Sequence, residues 1–174
     1  ADERPEAMLR AADMAMYIAK DKGRSRYEVF DEAMRDRSTE RLVMEVALRR
    51  APERGELRAL YQPIVRLADG AMVAAEALVR WEHPERGLLA AATFVPLAEE
   101  TGIIVPIGGW MLEEACRQAA SWPSNGQAPA VSVNLSARQL GRPDLVDAVH
   151  AALEASGLDP DRLWLEITES TLME

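Results

Sequence analysis

The stretch of sequence that decides the fold runs from Leu57 to Trp81 and reads LRALYQPIVRLADGAMVAAEALVRW. Its two apolar segments, Leu57–Leu67 and Met72–Trp81, have the composition of strands. The Asp69-Gly70 pair between them is a strong hairpin signal, because both residues favour a tight turn. We therefore expect two consecutive strands joined by a hairpin.

The sequence after this hairpin alternates between helices and strands. Such alternation is typical of βαβ units, which build a parallel sheet. The predicted elements are a loop at His83–Gly87, helices at Thr93–Glu100 (with Thr93 as N-cap), Ile107–Ser121 and Pro143–Ser156, and strands at Ala130–Leu135 and Arg162–Thr168.

Two α/β architectures fit this pattern, an open doubly wound sheet and a closed barrel. No glycine-rich phosphate-binding turn follows a predicted strand, which weakens the nucleotide-binding open sheet. A complete (β/α)8 barrel needs ~250 residues, so the chain after Ala51 would supply about half of one. The residue pattern alone leaves this choice open.

The segment upstream of the hairpin is different in composition. Pro5–Lys22 has helical spacing and ends at Gly23, and Ser25–Phe30 then reads as a short strand. From Asp31 to about Arg54 the chain is rich in charge, as an exposed connecting helix would be. We therefore predict three parts, residues 1–30, a connecting helix at 31–55, and an α/β region at 56–174.

Composition limits the function. Apolar residues make up 48% of the 174 residues and charged residues 28%, which is normal for a soluble globular protein. The net charge of -9 argues against a nucleic acid polymer or an anionic membrane as partner, although a metal ion could still hold a phosphate ligand. A single cysteine excludes an internal disulfide. We expect a cytoplasmic protein with no membrane contact from this segment.

The ends of the chain suggest a piece of something longer. It begins ADERPEAMLR without an initiator methionine and stops abruptly at TLME. A half barrel would expose strand edges and apolar surface. We therefore expect the isolated chain to be marginally stable or oligomeric.

Three polar residues interrupt predicted strands where a core would favour carbon. They are Glu76, Asn134 and Glu166. Two carboxylates and an amide oxygen converging from three strands would be a hard, oxygen-only ligand set, which suits Mg²⁺ or Mn²⁺. Such ions activate water and bridge phosphate oxygens, so phosphoester hydrolysis is the natural chemistry. The alternative is that each glutamate faces solvent or pairs with an arginine.

Two further polar residues are ambiguous. Arg80 lies four residues after Glu76 in the same strand and could hold a phosphate, or form an ion pair with Glu76 or Glu82. Glu169 could cap a helix or anchor a loop.

Several motifs, taken together, resemble a known family. Five motifs of this chain resemble the first half of an EAL domain and occur in the same order. The EAL domain is a bacterial phosphodiesterase module that hydrolyses cyclic di-GMP. The motifs are Tyr61–Ile64, Glu76–Trp81, Phe94–Glu100, Ser132–Ser136 and Leu165–Ser170. The leading segment, with Ala12–Tyr17, Ala19-Lys20 and Gly23-Arg24, resembles the end of a GGDEF (diguanylate cyclase) domain. The charged segment between them matches the usual tandem connector.

This resemblance implies a fold and a set of residue roles. The fold is α/β, a partial (β/α)8 (TIM-type) barrel whose first strand is antiparallel to its neighbour, preceded by a helix–strand remnant and a connecting helix. The implied roles are metal ligands at Glu76, Asn134 and Glu166, substrate contacts at Gln62, Leu78 and Arg80, a loop anchor at Glu169, and phosphate contacts of the GGDEF remnant at Lys20 and Arg24.

The resemblance also implies an activity and its limits. The expected reaction is metal-dependent opening of cyclic di-GMP to the linear dinucleotide with Mg²⁺ or Mn²⁺, in a parent protein that is a homodimer. The family's paired aspartates, catalytic lysine and later glutamate and glutamine would lie beyond Glu174, so this half supplies no catalytic residue. The alternatives are a non-catalytic cyclic di-GMP receptor and a structural or dimerising fragment.

Overall fold

The computed structural model describes residues 32–123 and 128–167 and, upstream of them, residues 5, 8, 9, 12, 13 and 16. The chain divides into two compact units, Ala1–Val46 and Ala47–Glu174. The first unit contains most of helix α1 (Glu32–Arg50), and the six upstream residues are helical. The rest of the predicted helix Pro5–Lys22 and the predicted strand Ser25–Phe30 lie outside the described residues.

The second unit holds one mixed sheet and the helices that cover it. Its elements are β1 (Leu57–Val65), β2 (Met72–His83), β3 (Gly87–Ala90), α2 (Ala91–Thr101), α3 (Ile104–Ala120), β4 (Ala130–Leu135), α4 (Ala137–Leu140), α5 (Leu145–Ser156), a 3₁₀ turn (Pro160–Arg162) and β5 (Leu163–Ile167).

The sheet has the strand order β1-β2-β4-β5, with β3 paired to the end of β2. β1 and β2 are antiparallel, whereas β2, β4 and β5 run parallel to one another. The antiparallel pair turns at Gly70, which has φ 71, and Asp69 accepts a hydrogen bond from the amide of Ala71 at 3.1 Å. The predicted α/β class, with an antiparallel first strand and a partial barrel, is confirmed.

One face of the sheet packs against the helices. Ala77 of β2 and Val131 and Val133 of β4 are buried with Leu112 and Ala115 of α3, because alternate residues of a strand point to the same face. Helix α5 adds Ala152 to the same core. The other face of these strands therefore carries the remaining residues, including the polar ones.

The structure differs from the predicted helices and loops in three places. The predicted loop His83–Gly87 leads into a short strand that was not predicted, β3, whose four residues pair antiparallel with Arg80–His83. Helix α2 begins at Ala91, immediately after β3, so Thr93 lies inside it and Ala90 occupies the N-cap without a side-chain bond. Helix α4 was not predicted, although Ser136 and Gln139 form its capping box.

No helix in the described part of the chain is long and apolar enough to cross a membrane.

Two ionisable groups are shielded from water, the Cys116 thiol in the core and the hydroxyl of Tyr61, which packs against the core. Burial raises the pKa of the Cys116 thiol from 9.0 to about 11. Burial, and then the negative charge of Glu114, raises the pKa of the Tyr61 hydroxyl from 10.0 to about 12. The Tyr61 ring also packs edge-on against Trp122, with ring centroids 5.6 Å apart. Both groups are therefore neutral in the folded protein at neutral pH.

We expect Cys116 to react very slowly with a thiol reagent at about pH 8 while the chain is folded. The reacting species is the thiolate, which burial disfavours. These two groups also contribute stability that is fully present below about pH 9 and is lost as pH rises through their folded pKa values of about 11 and 12. Thiol labelling with and without urea, and urea melts at increasing pH, measure both effects. Equal labelling rates in folded and unfolded protein would contradict the burial of Cys116.

Candidate functional site

The polar residues singled out in the sequence lie on one face of the sheet. The strand register pairs Gln62 with Glu76, Glu76 with Ser132, and Asn134 with Glu166. Residues paired across neighbouring strands point to the same face, and so do residues two apart on one strand. Gln62, Glu76, Asn134 and Glu166 therefore share the face that is opposite to helices α3 and α5.

Glu76 and Asn134 are in direct contact. The Nδ2 atom of Asn134 donates a hydrogen bond to Oε1 of Glu76 at 2.8 Å, although the two residues are 58 positions apart. Glu76 is half-buried and Asn134 is exposed, so a ligand can reach both. Because the amide nitrogen is used by this bond, the Asn134 Oδ1 atom and the second Glu76 oxygen are the acceptors left for a ligand.

Glu166 completes a row of oxygen donors on three adjacent strands. It is half-buried and lies next to Asn134 in register. The row consists of the carboxylates of Glu76 and Glu166 and the amide of Asn134. Within the described residues, no three His, Cys, Asp or Glu side chains come together. Its donors are all hard oxygen atoms, which fit Mg²⁺ or Mn²⁺ better than zinc.

Arg80 is placed near this row, on the same strand and face as Glu76. Its Nη1 atom donates to the carbonyl of Val79 at 2.9 Å. The structure pairs Glu82 with Arg58 rather than with Arg80. The ion-pair alternative with Glu82 is therefore wrong, and the Arg80 guanidinium remains half-buried beside the oxygen donors.

The other candidates differ in what the structure says of them. Gln62 is exposed, and Leu78 is half-buried near the middle of β2. Glu169, Lys20 and Arg24 lie outside the described residues.

Sequence reasoning missed two features of this region. The first is Ser132, which is fully buried beside Glu76 in register, and whose hydroxyl has no hydrogen-bond partner among the described residues. The second is a cavity of 230 Å³ next to Leu78 and Asn134, lined in part by Glu99 and Gln139. No local sequence signal marks the cavity, because α2, α3 and two strands form it together.

Carboxylates and an amide on neighbouring parallel strands, beside a leading antiparallel strand, define a TIM-barrel-like α/β protein with its candidate site on the strands of the barrel. The chain belongs to the EAL domain family, whose sequence profile matches residues 45–174.

Two curated proteins are similar over nearly the whole chain. The bifunctional diguanylate cyclase/cyclic di-GMP phosphodiesterase MucR of Pseudomonas aeruginosa is 48% identical over 171 residues, 98% of this chain and 25% of that protein. The cyclic di-GMP phosphodiesterase PdeR of Escherichia coli is 40% identical over 168 residues, 97% of this chain and 25% of that protein.

A solved structure of this family is also similar. The complex of the MucR phosphodiesterase with cyclic di-GMP has 48% identity and a TM-score of 0.71, and the match covers 76% of this chain and 54% of that one. The chain thus spans about a quarter of the length of these curated relatives and about half of the solved domain.

Proposed function

We propose that the chain is part of an EAL domain that hydrolyses cyclic di-GMP to the linear dinucleotide with the help of a divalent metal ion. The observation that carries this proposal is the Glu76–Asn134 hydrogen bond of 2.8 Å, with Glu166 next to Asn134 in register. The relatives MucR and PdeR, which are named as cyclic di-GMP phosphodiesterases, support the choice of substrate.

In this proposal all three oxygen donors hold the metal ion, and Asn134 also orients Glu76. Glu76, Asn134 and Glu166 would hold the ion, which is Mg²⁺ or Mn²⁺ by the hardness of the donors. Phosphodiesterases of this family depend on a metal, and an ion held by these residues would supply a lowered pKa for water and charge neutralisation for the phosphate. The Asn134 amide fixes the Glu76 carboxylate through its Nδ2 atom, which orients the second Glu76 oxygen.

The substrate contacts follow from the same face of the sheet. Arg80 supplies a guanidinium that can bind a phosphate with two hydrogen bonds, and Gln62 lies beside Glu76 across the β1–β2 pair. Leu78, two residues from each of Glu76 and Arg80, would contact the nucleotide through its apolar side chain. We also propose that Glu169 anchors an active-site loop, as the family resemblance implies.

The remaining proposals concern the parent protein. Residues 1–30 would be the end of a GGDEF domain, with Lys20 and Arg24 facing nucleotide phosphates, followed by a connecting helix at 31–55 and the EAL region at 56–174. The alignment to MucR, a bifunctional protein, supports this division because it includes 98% of the chain. We further propose a homodimeric, cytoplasmic signalling protein.

One assay separates the three candidate functions when it is run on this chain and on a longer chain that matches the whole solved MucR phosphodiesterase, of which this chain covers 54%. Each chain is incubated with cyclic di-GMP and Mg²⁺ or Mn²⁺, with a chelator as control, and both binding and linear product are measured. Metal-dependent product supports the hydrolase. Metal-dependent binding without product from the longer chain would instead indicate a receptor, and a lack of both binding and product would leave only a structural or dimerising role.

We expect Asn134→Leu to weaken the affinity of the chain for Mn²⁺. The substitution removes one oxygen donor and the hydrogen bond that orients Glu76, and the loss of such an orienting partner typically costs about 10–100-fold in metal affinity. A calorimetric Mn²⁺ titration measures the change. Gln118→Leu makes a similar amide-to-alkyl change on α3, away from the site, and should leave the affinity unchanged. Equal Mn²⁺ affinities for Asn134→Leu and the unmodified chain would remove Asn134 from the ligand set.

A further inference from the structure

The hydroxyl of Ser132 is buried without a hydrogen-bond partner beside the candidate site. Ser132 is 0% exposed, and its Oγ atom bonds to no residue that the structure describes. Val131 and Val133, its neighbours on β4, lie in the core beside the helices, so Ser132 points to the opposite face, which carries Glu76 and Asn134. A buried hydroxyl without a partner has given up its hydrogen bonds to water, so it lowers the stability of the folded chain.

The need for a small side chain does not account for a serine at this position. One step toward the amino ends of the same two strands, Ala74 pairs with Ala130 on the same face, and both are buried. Alanine is thus the residue that fills this layer of the sheet where only small size is required. Compared with alanine, Ser132 adds one oxygen atom, which is both a donor and an acceptor. The hydroxyl itself is therefore the feature that calls for a partner.

Glu76 is the neighbour that can accept a hydrogen bond from this hydroxyl. Ser132 lies in register with Glu76 on β2 and with Trp164 on β5. The ring nitrogen of Trp164 can only donate, whereas a carboxylate has about four acceptor positions, one of which Asn134 fills in the structure. The Glu76 side chain starts level with Ser132 and reaches Asn134, two residues further along β4, so it crosses from β2 to β4 next to the Ser132 hydroxyl.

We propose that Ser132 is a positioning residue whose hydroxyl donates a hydrogen bond to the Glu76 carboxylate when a divalent ion is bound, which rests on the function proposed above. In the structure, Asn134 holds this carboxylate through its Oε1 atom. A rotation of the Glu76 side chain would bring the carboxylate to the Ser132 hydroxyl, so that two donors orient it. Partners that orient a metal ligand contribute strongly to metal affinity. The Ser132 donor would be unpaired in the metal-free chain and paired in the metal-bound chain, and this difference favours binding of the ion.

The test measures two properties of Ser132→Ala, in this chain and in the longer chain described above. We expect the Mn²⁺ affinity, measured by calorimetry, to fall about 10-fold or more, as for other partners that orient a metal ligand. We expect the urea midpoint of the metal-free chain to stay unchanged or to rise, because the substitution removes an unpaired donor. Ser156→Ala on α5 is the matched control. Its hydroxyl donates to the carbonyl of Ala152 at 2.7 Å, so its removal should lower the urea midpoint and leave the Mn²⁺ affinity unchanged.

The outcomes separate the role of Ser132 from the proposed function. A weaker Mn²⁺ affinity of Ser132→Ala, with its urea midpoint undiminished, supports the positioning role. If the unmodified protein binds Mn²⁺ and Ser132→Ala binds it equally well, the role of Ser132 is overturned and the proposed function stands. A lowered urea midpoint of metal-free Ser132→Ala would also overturn it, because the hydroxyl would then have a partner without the ion. If neither this chain nor the longer one binds Mn²⁺, both proposals fail.

Discussion

Glu76→Gln should abolish the metal-dependent binding of cyclic di-GMP by the chain. Glutamine has nearly the same shape and can still accept the hydrogen bond from Asn134, so the substitution removes the negative charge and little else. Divalent ions bind oxygen ligands largely through charge, and the loss of a carboxylate in direct contact should exceed the roughly 10–100-fold cost of losing an orienting partner. Calorimetric titration of cyclic di-GMP at fixed Mn²⁺, with and without chelator, measures the effect.

The control for this substitution is Glu113→Gln, an identical change on the exposed side of α3. It should bind as the unmodified chain does, because the site lies on the other face of the sheet. If Glu76→Gln and Glu113→Gln both retained metal-dependent binding within about threefold, Glu76 would have no role in holding the ion.

The second large effect is expected on stability, from Trp81→Ala. Trp81 is fully buried, its ring packs edge-on against His83 and Phe94 at centroid distances of 4.8 and 5.9 Å, and its Nε1 atom donates to Glu56 at 3.1 Å. Truncation leaves a cavity and removes the hydrogen bond to Glu56, and truncating a buried tryptophan costs about 3–5 kcal/mol. Urea unfolding followed by circular dichroism should show the midpoint shifted strongly to lower urea.

Trp164→Ala is the matched control, because Trp164 on β5 is 42% exposed. Its removal should change the free energy of unfolding by about 1 kcal/mol or less. Equal destabilisation by the two substitutions would show that the packing around Trp81 contributes no more than a surface position does.

The sequence was enough to predict the sheet and the row of oxygen donors. The Asp69-Gly70 turn, the alternation of strands and helices, and polar residues in apolar strands are local signals, and each has a direct physical cause. The family resemblance then supplied the partial barrel, which the comparison with solved EAL structures confirms. The Glu76–Asn134 contact agrees with the predicted convergence, whereas the role of these residues as metal ligands stays a prediction.

The features that were missed depend on contacts between distant segments. Strand β3 has only four residues, too few for a periodic signal, and it exists because it pairs with the end of β2. The cavity beside Leu78 is formed by α2, α3 and two strands together, so no single segment marks it. Thr93 was assigned as a cap from its residue type, but α2 starts as soon as β3 ends, two residues earlier.

The hydrogen bond between Glu76 and Asn134 also has a consequence for folding kinetics. It joins residues 58 positions apart across a parallel strand pair, so the intervening loop must close before the bond can form. The β1–β2 hairpin closes only a short turn, so its loop-closure entropy is small and it can form first. Long-range parallel pairing is slower. We therefore expect the oxygen donors to assemble late, after α2 and α3 have brought β4 alongside β2, so that a chain arrested early in folding would have its hairpin but no ligand site.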